Sequence, residues 1–362
     1  MVDIITNSKE IKSLDSRLKK RFGDNYYSVV EKDNKPKVEF VSTGCFSLDT
    51  VCGSGIPLGK LIEFSGNEAS FKTTLCLLIV KSFQEQGYVC AWLDGECCFN
   101  PDYATSLGVD VDNLLLISNL YCGEEYIDAL RILTKDSSVK LTILDSATSL
   151  KPRRIVEGEV GDATMGLQAR FWSDHLPEML PHLANNKCSL ILINQIRATM
   201  ATYGNPNSPT GGNAIKFYKS LALETKKKEV IKEKGSEVAV RIQVKNIKTR
   251  VGRPFVTKEI TIHFPKFLGD KAGIDIVKDI VEESLEKVIE RVNSSTYTWH
   301  KFPTNKKGEP NITGKDAVIN FFKENSNLVP TLKEELINYN NSNHDNTSED
   351  SQEEDSADQQ TA

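Results

Sequence analysis

From Leu61 onward the chain alternates short, unbroken apolar runs with longer stretches of helical periodicity, a pattern that few folds accept. LIEFSG, YVCAWLD, LLLIS, KLTILDS and CSLILINQ have the length of strands. Between them lie KTTLCLLIVKSFQEQ, NPDYATSLG, GEEYIDALRILTKD and GLQARFWSDHLPEMLPHLANN. Strands that are apolar throughout and separated by helices predict an α/β fold with a mainly parallel central sheet covered on both faces. Residues 217–264 read instead as antiparallel strands with a Lys-rich turn, and 270–338 as a small α+β unit holding an aromatic patch, TYTWHKF, and a helix, GKDAVINFFKEN. Ahead of the body, residues 8–22 form an amphipathic helix with Ile11, Leu14, Leu18 and Phe22 on one face, joined through the polar stretch EKDNKPK. Pro177 and Pro181 fall inside the 166–186 helical pattern, where a missing N–H and a ring clash predict a kink, a split or an earlier end.

Apolar residues make up 39% and charged residues 26% of 362, the composition of a chain with a sizeable core. No apolar stretch approaches the roughly 20 residues needed to span a bilayer. The charged opening, MVDIITNSKEIKSLDSRLKKRF, is unlike a secretory signal, so a soluble, cytoplasmic protein without membrane contact is expected. The eight cysteines are scattered, without a CxxC pair or a neighbouring histidine set, and read as reduced structural thiols. The net charge is −5, but seven carboxylates (Asp345, Glu349, Asp350, Glu353, Glu354, Asp355, Asp358) crowd the last two dozen residues; without them it rises to +2. The body is therefore mildly basic, and 339–362 reads as an acidic, disordered tail that either solubilises the protein or competes with DNA for a basic surface.

Directly after LIEFSG comes Gly66-Asn67-Glu68-Ala69-Ser70-Phe71-Lys72-Thr73-Thr74, leading into a helix. Strand, glycine turn, Lys-Thr and helix N-terminus are the parts of a phosphate-binding loop: backbone N–H groups and the helix dipole hold phosphates, Lys72 neutralises the terminal ones and the Thr73 hydroxyl reaches Mg²⁺. The usual pattern has glycine before the lysine, and here the residue is Phe71. A phenylalanine fits if its dihedrals are helical and its ring points away from the phosphates; otherwise the loop has lost its nucleotide.

Other polar residues close the apolar strands. Asp145 ends KLTILDS, where a Mg²⁺-associated acid belongs, and Glu96 lies two residues beyond YVCAWLD, where a carboxylate can orient and deprotonate a water. Asn194 and Gln195 close the fifth strand, where an amide can sense a γ-phosphate. Each could be a simple cap, but open parallel sheets bind ligands at the carboxyl ends of their strands.

At this point the residues resemble the RecA family of recombinases, from about Lys9 to Phe264 and more faintly to 325. STGCFSLDTVCGSGIPLGKLIEFSG, LDGECCFNPDYATSLGVDVDNLLL, EGEVGDATMGLQAR, LILINQIR, YGNPNSPTGGNAIKFY and KTRVGRPF follow in the family's order. Phe71 is similar to the phage recombinases of the UvsX kind, which implies a phage source. The resemblance implies a RecA-type P-loop ATPase core with an N-terminal polymerisation helix and a small α+β C-terminal domain. Its boundaries would be 1–35 for the oligomerising helix and linker, 36–269 for the core with its DNA-binding loops, 270–338 for the C-terminal domain and 339–362 for the tail.

Roles follow from the same resemblance. ATP would be held by Gly66 to Thr74, with Thr73 and Asp145 on Mg²⁺ and Glu96 activating water. Tyr103 would stack on adenine, beside Asn100 where the family usually has aspartate. Gln195 would couple the γ-phosphate to the next loop, and Lys248 and Arg250 would reach a neighbouring subunit's ATP. DNA would be held by residues 158–166, with Met165 and Arg170 as contacts, and by 196–213, with Arg197, Tyr203, Gly211 and Gly212. The Gly, Asn, Pro and Thr content of 196–213 predicts disorder until a ligand orders it. Lys301, Lys306 and Lys307 near Trp299 would gather duplex DNA. The implied activity is a DNA-dependent ATPase that coats single-stranded DNA as a helical filament and pairs it with duplex, helped by a recombination mediator or single-strand-binding protein. Two rival readings stay open: a DNA-coating protein in which Phe71 has disabled hydrolysis, and a ring-forming helicase on the same core.

Overall fold

The computed structural model describes residues 8–23, 38–159, 166–198, 207–209, 212–265, 272–305 and 308–342. The chain forms two compact units, Met1–Glu39 and Phe40–Ala362. The first holds α1 (Ser8–Phe22), whose Leu14, Leu18 and Phe22 are exposed and whose last turn carries Lys19, Lys20 and Arg21, a favourable placement for the helix dipole.

The second unit runs β1 (Phe40–Val41), α2 (Phe46–Cys52), β2 (Ile56–Pro57), β3 (Leu61–Gly66), α3 (Lys72–Glu85), β4 (Val89–Asp94), α4 (Pro101–Ser106), β5 (Leu114–Ser118), α5 (Gly123–Lys135) and β6 (Val139–Asp145). It continues with α6 (Arg153–Val156), α7 (Leu167–Asn186), β7 (Ser189–Ala198), β8 (Asn207–Pro209), α8 (Gly212–Tyr218), β9 (Leu221–Glu233), β10 (Ser236–Thr249), β11 (Thr257–His263) and β12 (Gly273–Ile274). Then follow α9 (Ile276–Ser284), β13 (Glu290–Arg291), β14 (Thr296–Thr298), β15 (Asn311–Thr313), α10 (Lys315–Glu324) and a last helix, α11, over 329–342.

The large sheet has the order β12-β11-β10-β9-β3-β7-β6-β4-β5, parallel from β9 to β5 and antiparallel from β9 to β12. Alternation along each strand feeds two cores. Cys90 and Trp92 pack with Leu75 and Ile79 of α3, while Ala91 and Leu93 pack with Ile127 of α5 and Trp172 of α7. The antiparallel strands expected within 217–264 are present, but Lys226, Lys227 and Lys228 lie inside β9 rather than in the turn. Lys234 and Gly235 make the turn, with φ of 48° and 85°, the positive pair that a tight hairpin requires.

The 166–186 helix is neither split nor cut short: α7 is one helix with both prolines inside it. Its apolar face (Phe171, Trp172, Leu176, Met179, Leu183) is buried, whereas Pro181 is exposed and Pro177 half-buried, so the hydrogen bonds they forfeit lie toward water. Six cysteines are buried, in keeping with structural thiols; Cys97 and Cys98 are exposed. The C-terminal elements enclose a third core around Trp299, Phe302 and Phe322, closed by Phe46 from α2. Asp279 of α9 fastens this core to α2 by accepting hydrogen bonds from the Ser47 N–H and hydroxyl.

Restoring a donor at an exposed proline should strengthen α7. Pro181→Ala is expected to raise the urea midpoint by the equivalent of about 1–2 kcal/mol. An unchanged midpoint would mean that the helix loses nothing at that ring.

Candidate active site

The parallel strands deliver their carboxyl ends to one edge. Gly66 of β3 pairs in register with Gln195 of β7, and Asp94 of β4 with Asp145 of β6. Gly66 admits no side chain: a Cβ there would stand 2.5 Å from Ser70 Oγ and 2.6 Å from the Thr225 carbonyl. The chain then turns through Ala69 and Phe71, both left-handed, with φ of 54° and 64°.

Phe71 corrects the expectation from sequence. Its dihedrals are not right-handed helical but φ 64° and ψ 27°, the conformation in which glycine is normally used. Its ring does turn outward, stacking on Phe264 beyond the end of β11 with centroids 6.1 Å apart and planes at 23°. The loop thus keeps a glycine-like backbone with an aromatic anchor in place of glycine.

Helix α3 starts at Lys72, so its first-turn N–H groups and positive dipole end face the loop. Lys72 is buried and arches back, donating to the carbonyls of Gly66 (3.0 Å) and Asn67 (2.8 Å) and to Ser70 Oγ (3.3 Å). Burial lowers its pKa, and the Asp145 carboxylate opposes that shift. The Thr73 hydroxyl donates to Asp145 Oδ2 at 2.8 Å. Burial pushes the Asp145 carboxyl up to about 6, reinforced by the nearby charges of Glu96 and Asp94 and opposed by the Thr73 hydrogen bond and Lys72.

Glu96 rides on a turn pinned by the buried Asp94, whose carboxylate accepts the N–H groups of Glu96 (3.3 Å) and Phe99 (2.8 Å). Its Oε1 accepts from the Ser146 hydroxyl and from Gln195 Nε2, the latter at 3.3 Å. Asn194, the other amide at that strand end, points to the opposite face and donates to Glu63 Oε1 at 2.8 Å. Asn100 caps α4 by accepting the Tyr103 N–H at 3.0 Å, and the Tyr103 hydroxyl meets Thr74 Oγ1 at 2.9 Å, which sets this pair beside the first turn of α3. Sequence reasoning passed over Asp94 and Ser146. Asp94 stands two residues before Glu96 at a turn, a position from which aspartate commonly captures backbone N–H groups, and Ser146 directly follows Asp145.

The sequence model of the RecA N-terminal domain matches residues 9–269, most of the chain. The chain belongs to the RecA family. Among solved structures, the crystal structure of the RadB recombinase is similar with a TM-score of 0.47 and 21% sequence identity, covering 61% of this chain and 95% of that one. The RecA family is one of recombination ATPases, which agrees with the α/β core and the strand-end cluster described above. Among the described residues, no helix is long and apolar enough to cross a membrane.

The remaining residues expected of a RecA-family chain lie elsewhere or outside the described residues. Lys248 Nζ donates to the carbonyls of Lys216 (2.7 Å) and Phe217 (3.3 Å), and Arg250 Nη2 to that of Phe217 (2.8 Å), so both cations grip the C-terminal end of α8. Burial lowers the Lys248 pKa, and the neighbouring Arg250 and Lys219 charges add to the effect. Arg170 is exposed on α7 and pairs with Asp174 at 3.7 Å. Met165, Tyr203 and Gly211, like Lys306 and Lys307, lie outside the described residues; Arg197 ends near the tip of β7 and Gly212 opens α8. The 196–213 segment is not wholly irregular, since Ile196, Arg197 and Ala198 pair antiparallel with Pro209, Ser208 and Asn207. Trp299 is buried, donating to Glu335 Oε2 at 2.8 Å, and Lys301 Nζ lies 5.7 Å from its ring centroid.

The Asp145 shift has a testable sign. Its carboxyl is protonated more readily folded than unfolded, so its ionisation makes the metal-free fold progressively less stable as pH rises from about 4 to about 6, and the loss then levels off. In buffer containing a chelator, Asp145→Asn should melt higher than the parent at pH 7.5 by the equivalent of about 1–2 kcal/mol, and show no such gain at pH 4. Thermal melts at the two pH values read this directly.

Proposed function

We propose that the protein is an ATP-dependent DNA recombinase that forms helical filaments on single-stranded DNA and pairs that strand with homologous duplex DNA. The observation that carries this reading is the hydrogen bond from Gln195 to Glu96. Strand β7 holds Gln195 and runs on through Arg197 to Ala198, at the start of the expected DNA-binding segment. Nucleic acid gripped there would act on the same backbone that places the Gln195 amide against Glu96.

The residues at the strand ends suit a magnesium nucleotide. Lys72 is a buried ammonium that arches over the loop carbonyls, and Asp145 is a buried acid whose charge a cation would stabilise. When bound, ATP supplies the reactive phosphoryl group and Mg²⁺ neutralises its charge. Lys72 and the N–H groups from Gly66 to Thr74 would hold phosphate, Thr73 and Asp145 the metal, and Tyr103 and Asn100 the base. Ser146 and Gln195 both donate to Oε1 of Glu96, which leaves Oε2 to take a proton from water.

Lys248 and Arg250 would leave the α8 carbonyls to meet phosphates on a neighbouring copy, and the exposed stripe of α1 would dock on that copy. In this reading 1–35 serves assembly, 36–269 catalysis and DNA binding through Met165, Arg170, Arg197, Tyr203, Gly211 and Gly212, 270–338 duplex capture through Lys301, Lys306 and Lys307, and 339–362 is an acidic tail. The setting would be the cytoplasm, with a mediator or single-strand-binding protein assisting. In a coupled assay, ATP turnover of the full chain should rise when single-stranded DNA is added. Glu96→Gln should reduce stimulated turnover by about 100-fold or more while leaving nucleotide binding intact. Turnover that stays flat with DNA would contradict the reading.

A further inference from the structure

Glu63 and Lys219 form an ion pair in the interior, with side chains 1% and 6% exposed. The other carboxylate oxygen of Glu63 accepts the amide of fully buried Asn194. The three groups lie on the sheet face lined by Leu61, Leu190 and Leu192, where an apolar trio would be the simpler filling. Desolvating two charges opposes folding, and an apolar pair of similar volume commonly serves stability as well or better. What the charged pair adds is a fixed geometry between three segments.

Those segments are the ones the proposed mechanism must keep in step. Glu63 stands three residues before Gly66 in the strand that presents the phosphate loop. Asn194 is the backbone neighbour of Gln195, and strand alternation sends one amide to the ion pair and the other to Glu96. Lys219 directly follows α8, the helix that opens at Gly212 where the 196–213 segment ends, and the next residue, Ser220, donates its N–H to the Leu61 carbonyl at 2.8 Å. The end of α8 is also where Lys248 and Arg250 are held.

We propose that Glu63, Lys219 and Asn194 form a positioning relay that ties the DNA-loop helix α8 to the two strands carrying the phosphate loop and Gln195. Displacement of α8 is thereby passed to the nucleotide site through a buried charge pair that tolerates little slack. None of the three touches the nucleotide; they act through Gly66 and Gln195. The inference rests on the recombinase reading, which makes α8 the neighbour of bound DNA.

The test uses the full chain and the double variant Glu63→Gln with Lys219→Met, which removes both charges and keeps an acceptor for Asn194. Melting temperature, Mg-ATP affinity, and turnover with and without single-stranded DNA are measured together. The relay predicts an equal or higher melting temperature, unchanged affinity and basal turnover, and a stimulation ratio reduced about tenfold. Full stimulation in the double variant overturns the relay and leaves the recombinase reading standing. A parent chain without stimulation sinks that reading, and the relay with it. Should the double variant not fold, Lys219→Arg decides: reduced stimulation at constant melting temperature supports the relay. If stimulation is unchanged, or falls only in step with melting temperature, the pair is merely structural.

Discussion

Everything at the strand ends depends on the left-handed turn at residue 71. At Gly66 any side chain would collide with Ser70 and Thr225, and the chain then turns through left-handed Ala69 and Phe71 to reach Lys72. Left-handed backbone costs a residue with a Cβ about 1–2 kcal/mol. The Phe71 ring offsets that cost by packing on Phe264 and on the core beside α3, since such aromatic pairs contribute about 0.5–1.5 kcal/mol beyond area burial. The irregular residue thus preserves the loop by a different balance of forces: strain in the backbone is met by contact in the side chain.

Electrostatics then give the cluster its character. Asp145 and Glu96 lie near the ammonium of Lys72, and Asp94 adds its charge beside Asp145. Asp94 spends its charge on backbone N–H groups and so acts as a structural clamp for the turn. Asp145, raised to about 6, is held at an energetic disadvantage that a nearby positive charge would relieve. Glu96 stays exposed, with one oxygen already held by Ser146 and Gln195. The hydrogen bond from Gln195 also links Glu96 to β7, and through β7 to the segment proposed to meet DNA.

Much of this was legible in the residues. Apolar runs that end in polar residues gave the parallel sheet and the edge at which Gly66, Asp145 and Gln195 gather, because the period of such strands and the placement of their polar ends are local properties. Long-range geometry was less accessible. The choice between Asn194 and Gln195 depends on which face each presents, and Glu63, the one charge within LIEFSG, was the signal that a polar partner would be needed on the other face. The composition of 196–213 reports loop propensity but not that Arg197 pairs with Ser208. The prolines of α7 obey their local rule and are overruled by the buried face of Trp172 and Met179. The hand of Phe71 is set by Gly66 and Phe264, one nearby in sequence and one distant.

The central claim is that this aromatic-anchored turn grips a triphosphate. Isothermal titration of the folded full chain with Mg-ATP, alongside Lys72→Ala, tests it most directly. Saturable binding of one nucleotide per chain, lost in the variant, is the predicted result. A parent that gives no saturable heat, or one whose binding survives removal of the Lys72 ammonium unchanged, would contradict it.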